Sequence, residues 1–467
     1  MPPKLAACLV AGFIVWLFRR HARRSTPMSF GLWVAFVWVA IIASRPVGYW
    51  FASGTVAAAA DPMGGSFVDR NTYLFLIILG VIALLKRRVQ WSALLAPAKW
   101  LWIFYAYLLI SVFWSEFPFI AFKRWFKDFG NVIMILIILT EEDPVEATRV
   151  VFVRCAYLLI SVSVLFIKWF PDLGRYLHRW TWDTLYCGVT TNKNSLGDVA
   201  MVSGLFLLWN IVDFEGYPKK GGKFKEVWPD LFVLGMCFWL LHKAQSATSF
   251  TCLIVGGCIF FASRLDWARH NLKKLGWCGL GVALGMMAFT TLPDFRGAIA
   301  GVLGRDVTLT GRTDIWEAVL KLGTNPLIGS GFQSTWLTEK GAALADEFHI
   351  PHAHNGYLET YLHTGIMGVL LLLTVLYSAG RTASRNLSAG TISGSFFFAF
   401  FLSGVLYNYT EVAFDSGNII GFVLWLMAAL GGTLFAKTET ADEENDPLEF
   451  SADLNLDPDE LPARSGT

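Results

Sequence analysis

Charge is scarce in this chain. Lys, Arg, Asp and Glu make up 16% of its 467 residues, while 55% are hydrophobic. A soluble domain carries roughly a quarter charged residues, so a soluble globular class is excluded, and no dense basic face is left over for nucleic acid. Cysteine is sparse as well. Six of the seven (Cys8, Cys155, Cys237, Cys252, Cys258 and Cys278) fall in or beside apolar runs, and only Cys187 lies in a polar loop. With no Cys-x-x-Cys pair, neither a disulfide framework nor a thiolate zinc site is expected. An internal repeat of useful strength is also missing, which argues against a repeat-built transporter. Nor is there a cleavable leader pattern, because the apolar run 5–18 precedes Arg19, Arg20, Arg23 and Arg24 instead of following its charge. That run reads as a short extra span or a membrane-embedded helix.

What the chain has in abundance is long apolar stretches and 20 tryptophans. Runs near 28–44, 71–85, 99–113, 129–140, 149–167, 195–212, 230–245, 246–262, 275–291, 364–379, 392–409 and 418–435 approach the ~17–25 residues that a helical crossing needs. Backbone groups in lipid must be satisfied within the segment, so these runs predict an all-α polytopic membrane protein of about 12 (12–13) transmembrane helices. The domain division that follows is 1–290 as an N-terminal bundle, 291–365 as one large periplasmic loop of short helices, 366–436 as C-terminal helices, and 437–467 as an acidic tail.

Basic clusters at 19–24, 86–88, 219–225, 264–274 and 381–385 fall on one side if the spans alternate, and that side is expected to be cytoplasmic. One loop resists: 114–128 carries Lys123, Arg124 and Lys127 among Phe117, Phe119, Phe122, Trp125 and Phe126. That mixture predicts a helix lying in the outer interface, the alternative being a miscounted span. The tail 437–467 holds ten acidic and two basic residues, a charge of −8, which leaves +10 on the rest of a chain whose net charge is +2. The tail is expected to be disordered in the cytoplasm, and the basic body to suit a phosphate-bearing lipid.

Chemistry-bearing residues concentrate in the outward loops. Gly311–Arg312 opens a helix with Ile315, Trp316, Val319 and Leu320 on one face, capped by Thr313 or Asp314. A guanidinium at a helix start suits an anion; alternatively Arg312 is a surface residue paired with Asp314 or Glu317. Asn325–Pro326–Leu327 stops that helix, and Gly329–Ser330–Gly331 reads as a tight turn. His354 precedes Asn355–Gly356–Tyr357 at a loop-to-helix junction that runs into a span after Gly365. Its imidazole is able to take a proton from a sugar hydroxyl, or only to hydrogen-bond at the helix start. His349, His352 and His354 with Asp346 and Glu347 offer a zinc reading, weakened by the lack of a His-x-x-x-His pair and by opposite faces for His352 and His354 if the chain is extended. Lys193 and Asn194 begin another span after a loop containing Arg175 and Arg179, and Ser246–Ala247–Thr248 forms a polar hinge between two more.

Taken together, Asn192–Lys193–Asn194, Ser246-x-Thr248, Gly311–Arg312, Asn325 to Gly331 and His354 to Glu359 resemble the O-antigen ligase-like family, which includes O-antigen ligases, Wzy-type polymerases and exopolysaccharide polymerases of the ExoQ kind. Ser44–Arg45–Pro46 resembles the exopolysaccharide branch. The resemblance implies a metal-independent, cofactor-free glycosyltransferase of the bacterial inner membrane. It would move glycan from an undecaprenyl-pyrophosphate-linked oligosaccharide to an acceptor hydroxyl on the periplasmic face, alongside other polysaccharide export proteins. In that light His354 is the expected general base and Arg312 the pyrophosphate ligand, with Lys193, Asn194, Asn355, Ser246, Thr248, Arg175 and Arg179 as substrate contacts. Two departures stand out: Cys187 and Lys193 occupy the region where ligases carry an arginine, and Ala247 replaces a basic hinge residue. The rival readings are a ligase to lipid A–core and a lipid-linked sugar flippase.

Overall fold

The computed structural model describes residues 1–51, 66–177, 182–213, 223–265, 271, 312–414 and 417–444. The expected span at 275–291, Gly311, Arg179 and the acidic stretch 445–467 lie outside these residues. The principal helices are α1 (Pro3–Ala22), α2 (Phe30–Ile42), α3 (Phe67–Leu85), α4 (Lys99–Ile110), α5 (Pro118–Leu139), α6 (Pro144–Trp169), α7 (Lys193–Val212), α8 (Lys223–Ala244), α9 (Ala247–Ala262), α10 (Arg312–Leu320), α11 (Glu339–Phe348), α12 (Gly356–Ser388), α13 (Ile392–Thr410) and α14 (Ile419–Glu444). A small antiparallel hairpin, β1 (Arg175–Leu177) with β2 (Thr184–Tyr186), pairs Tyr176 with Leu185 and is a departure from purely helical structure.

Among the described residues seven helices are long and apolar enough to cross a bilayer, three shorter apolar helices accompany them, and the full expected set of twelve is not established. The run 5–18 lies within α1, which packs on α6. The 114–128 segment differs from expectation. Pro118 starts α5 at a position where its missing N–H costs nothing, and no further proline follows before Leu139, so the basic residues sit in the first turns of one continuous helix. The last helix likewise runs to Glu444, so the acidic stretch is helical at its start; Ala, Glu and Lys favour that.

α6 and α7 form the buried centre, with α8, α9 and α13 around α7. Small residues on α7 permit this closeness: a Cβ on Gly197 would lie 2.8 Å from Ser246 Cβ, and one on Gly204 would lie 2.9 Å from Leu253. Aromatic stacking fills the same centre, with Phe152 on Phe206 at 4.4 Å and Trp209 on Phe396 at 4.4 Å.

The two ends of the bundle differ in chemistry. At one end, ion pairs tie helix termini together: Arg20 and Arg24 to Glu226, Arg87 to Glu141, and Arg149 to Glu146 and Asp213. At the other, Arg45 donates to the carbonyls of Leu173 (2.7 Å), Gly188 (2.8 Å), Val189 (3.3 Å) and Thr190 (3.0 Å), which explains the Ser44–Arg45–Pro46 segment as an anchor for the loop leading into α7. α12 is broken at Gly365, whose φ is 64°. The Asn325–Gly331 segment docks against the break: Ile366 N donates to Pro326 O at 2.9 Å, Met367 N to Leu327 O at 3.2 Å, and Gly331 N to His363 O at 2.9 Å. A Cβ at Gly365 would stand 2.2 Å from the Leu327 carbonyl carbon. We expect Gly365→Ala to destabilise the folded protein by on the order of 1–3 kcal/mol, seen as a lower unfolding midpoint in detergent; an unchanged midpoint would contradict the docking.

Candidate functional site

At the end of the bundle opposite the ion pairs, four elements meet on one carboxylate. Glu411, the residue after α13, is 5% exposed. Its Oε1 accepts from Arg312 Nη2 at 2.6 Å and from Asn194 Nδ2 at 3.3 Å, and its Oε2 lies 3.1 Å from His354 Nδ1. Its carbonyl accepts from Gly356 N at 3.0 Å, pinning the start of α12 to the end of α13. Arg312 and His354 therefore converge, and Asn194 joins them. The surface pairing considered for Arg312 within its own helix is replaced by a partner on α13.

Burial pushes the Glu411 carboxyl upward, but the hydrogen bond from His354 and the charge of Arg312 outweigh this and hold it below the ordinary glutamate range. The carboxylate thus stays ionised at neutral pH. Accepting Nδ1–H from His354 leaves Nε2 as the proton-accepting nitrogen, the tautomer a general base needs.

His354 is held from its backbone as well. Its φ is 51°, a left-handed conformation that a non-glycine residue adopts only when the surroundings enforce it. The enforcement comes from Ala353, whose carbonyl accepts from Trp316 Nε1 at 2.9 Å and whose N–H donates to Glu359 Oε2 at 2.7 Å. Glu359 is buried and also accepts from Trp336 Nε1 at 2.6 Å. The turn at His354 overturns the expectation that His352 and His354 point apart. Their rings lie 4.3 Å apart, because the chain there is not extended.

The other candidates divide. Asn355 caps α12, its side chain accepting from Tyr357 N and Leu358 N at 3.0 Å each. Thr248 Oγ1 lies 3.0 Å from Thr410 Oγ1, directly before Glu411, and Ser246 Oγ lies 2.9 Å from Ser249 Oγ. The hinge therefore braces α13 beside the site. Lys193 is the first residue of α7, next to Asn194, with its N–H on Tyr176 Oη at 3.3 Å. Arg175 turns its guanidinium to the Ile167 carbonyl at 2.7 Å and away from Glu411's cluster.

Glu411 itself escaped the sequence reading, as did Asp198. That buried carboxylate accepts from Tyr407 Oη at 2.7 Å, Ser249 Oγ at 3.1 Å and Asn418 Nδ2 at 3.2 Å, tying α7, α9, α13 and the approach to α14 together just beneath the site. An acidic residue inside an apolar span is the signal that marks Asp198, whereas Glu411 lies just past the end of its helix and carries no such signal.

A metal could draw ligands here, though from a different set than the sequence suggested. One atom each of His352, His354 and Glu411 lie within 4.8 Å of one another. Arg312 occupies one oxygen of that carboxylate, and a fixed guanidinium opposes a second cation in the same space.

The O-antigen ligase family (Wzy_C) matches residues 231–373. The exopolysaccharide production protein ExoQ of Rhizobium meliloti is 28% identical over 61% of this chain and 65% of its own length. Provisionally named polysaccharide ligases of Rickettsia bellii and Rickettsia felis are 26% and 25% identical over 44% and 42% of the chain. The chain thus spans somewhat under two thirds of ExoQ and about half of the two ligases, at 52% and 50%. The ordered motifs, the match over residues 231–373 and these relatives together support an O-antigen ligase-like family for this chain.

Proposed function

We propose that the protein is a polysaccharide polymerase of the bacterial inner membrane. On the periplasmic face it transfers glycan from an undecaprenyl-pyrophosphate-linked donor to an acceptor sugar hydroxyl. The observation that carries this reading is Glu411 joined at once to Arg312 and His354. In the proposed step the acceptor hydroxyl oxygen bonds to the anomeric carbon of the donor, the bond from that carbon to the diphosphate oxygen breaks, and the lipid diphosphate leaves with the electron pair. His354 Nε2 takes the hydroxyl proton. Arg312 spends part of its donor fork on Glu411 and has further N–H groups for the diphosphate oxygens, where charge grows as the bond breaks. Glu411 fixes the imidazole and the guanidinium relative to each other, as the third group of a nucleophile–base–orienter chain does. No metal is required by this chemistry. Lys193 at the start of α7 is a second cation for the diphosphate.

The ligase names of two relatives keep transfer of finished polymer to a lipid acceptor as the second reading. The acceptor separates the two. A deletion strain that accumulates single lipid-linked repeat units supports the polymerase; one that accumulates lipid-linked polymer supports the ligase.

We expect His354→Ala and Arg312→Ala to abolish product, with protein levels checked by immunoblot, and Glu411→Gln to cost on the order of 10³–10⁴-fold by holding the wrong tautomer. Retained synthesis in His354→Ala would defeat the enzymatic reading. Chelators should leave the purified protein's activity unchanged, and activity lost to EDTA and restored by zinc would move His352, His354 and Glu411 into a metal site. Stability carries a pH signature too. Glu411's folded pKa is depressed, so its contribution is complete at neutral pH and disappears as pH falls through that lowered value. The gap in unfolding midpoint between wild type and Glu411→Gln should therefore be large near pH 7 and narrow on acidification; a gap that widens toward acid would reverse the assigned charge state.

A further inference from the structure

A cavity of about 300 Å³ opens at the same end of the bundle, lined by Trp38, Arg124, Lys127, Asp128, Asn131 and Gln333 among others. None of these residues belongs to the Glu411 cluster. We propose that this cavity is a subsite for one acidic sugar residue of the glycan, a proposal that rests on the polymerase reading for its biological meaning.

Three features of the walls select that ligand. The first is charge. Arg124 and Lys127 stand three residues apart on α5, on one face of the helix; Asp128 is the carboxylate in the wall, and Asp69 on α3 also lies within electrostatic range of Lys127. Asp128 is already engaged, accepting from Asn131 Nδ2 at 2.8 Å, and Asn131 Oδ1 in turn accepts from Trp38 Nε1 at 2.8 Å. Lys127 is exposed, and its ammonium lies 4.6 Å from the Tyr73 ring centroid, within reach of the cavity's rim. The second feature is apolar wall, Trp38 and Ile42, beside the Gln333 carboxamide. Carbohydrate offers apolar C–H faces and hydroxyls to such walls, whereas a bare diphosphate has nothing to set against the apolar part. The third is size: about 300 Å³ is at the lower limit of small-molecule sites, enough for one ring with its substituent and too small for an oligosaccharide.

The cavity is also coupled to the site by the chain itself. Gln333, with φ 47°, follows the Gly329–Gly331 docking segment, and Arg124 Nη1 donates to its carbonyl. Gly417 borders the cavity six positions after Glu411, next to Asn418, which donates to Asp198. A sugar bound here would register the remainder of the glycan against the same loop that carries the catalytic carboxylate.

The test uses the full-length protein in lipid nanodiscs and saturation-transfer NMR titrations with glucuronate, glucose and inorganic pyrophosphate. Glucuronate should bind at least tenfold more tightly than glucose. Lys127→Gln should weaken glucuronate at least tenfold, Lys127→Arg should restore it, and His354→Ala should leave it unchanged. Equal binding of glucose, absent glucuronate binding, or indifference to Lys127→Gln in a protein that elutes like wild type would overturn the proposal. Pyrophosphate that displaces glucuronate more effectively than glucuronate displaces itself would also overturn it and give the cavity to the donor diphosphate. The wild-type comparison of glucuronate with glucose needs no variant. Polymer synthesis is measured separately on His354→Ala, so failure of the catalytic reading and failure of the subsite are read from different experiments.

Discussion

A carboxylate removed from water must be compensated, and at Glu411 that requirement organises the surrounding elements. An ionised side chain with 5% exposure would be strongly destabilising alone. Arg312, His354 and Asn194 supply the compensation from positions 99, 57 and 217 residues away in sequence. Removing one member of such a buried pair typically costs about 3–5 kcal/mol, because the remaining charge stays buried without its partner. The contacts that make the carboxylate tolerable are those that place a guanidinium and an imidazole side by side, so in the proposed reaction one interaction would serve both folding and chemistry.

Around this centre, several of the recognisable motif residues hold the backbone in place. Asn355 caps a helix, Glu359 and Trp316 hold Ala353, and the Asn325–Gly331 segment wedges against the break at Gly365. The left-handed backbone at His354 is one product of this clamping. A positive φ on a histidine is unfavourable by itself, and it persists because both peptide groups of Ala353 are engaged by buried partners. The strain turns the ring toward Glu411, where an extended chain would carry it past.

This division explains what could be read from the chain beforehand. The helices were legible because apolar runs in lipid admit no other structure, and Gly365 was legible as the junction between loop and span. Arg312 and His354 were legible because each sits at a helix start in a long polar segment. Glu411 was not, since a lone glutamate after Thr410 resembles any solvated span end, and its partners are fixed only by tertiary packing. The length of α5 was misread for a related reason. Basic and aromatic residues on its first turns suggest a separate interfacial helix, whereas the helix runs on to Leu139, with Arg124 on the Gln333 carbonyl and Lys127 over the Tyr73 ring.

The arrangement at the two ends of the bundle also bears on how such a site can work on a lipid-tethered substrate. Ion pairs close one end, tying α1 to α8, α3 to α5 and α6 to α7. At the other end, Arg45 and Asp198 hold loops by several hydrogen bonds each, so the segment from Glu411 to Asn418 is fixed at both extremities. A donor whose lipid tail lies in the bilayer arrives with its height and general orientation already restricted. A rigid cluster at the matching depth then needs only to align one bond with one base, and this alignment is the part of the barrier that positioning can remove. Rigidity at Glu411 is accordingly the property on which turnover in the proposed reaction would depend.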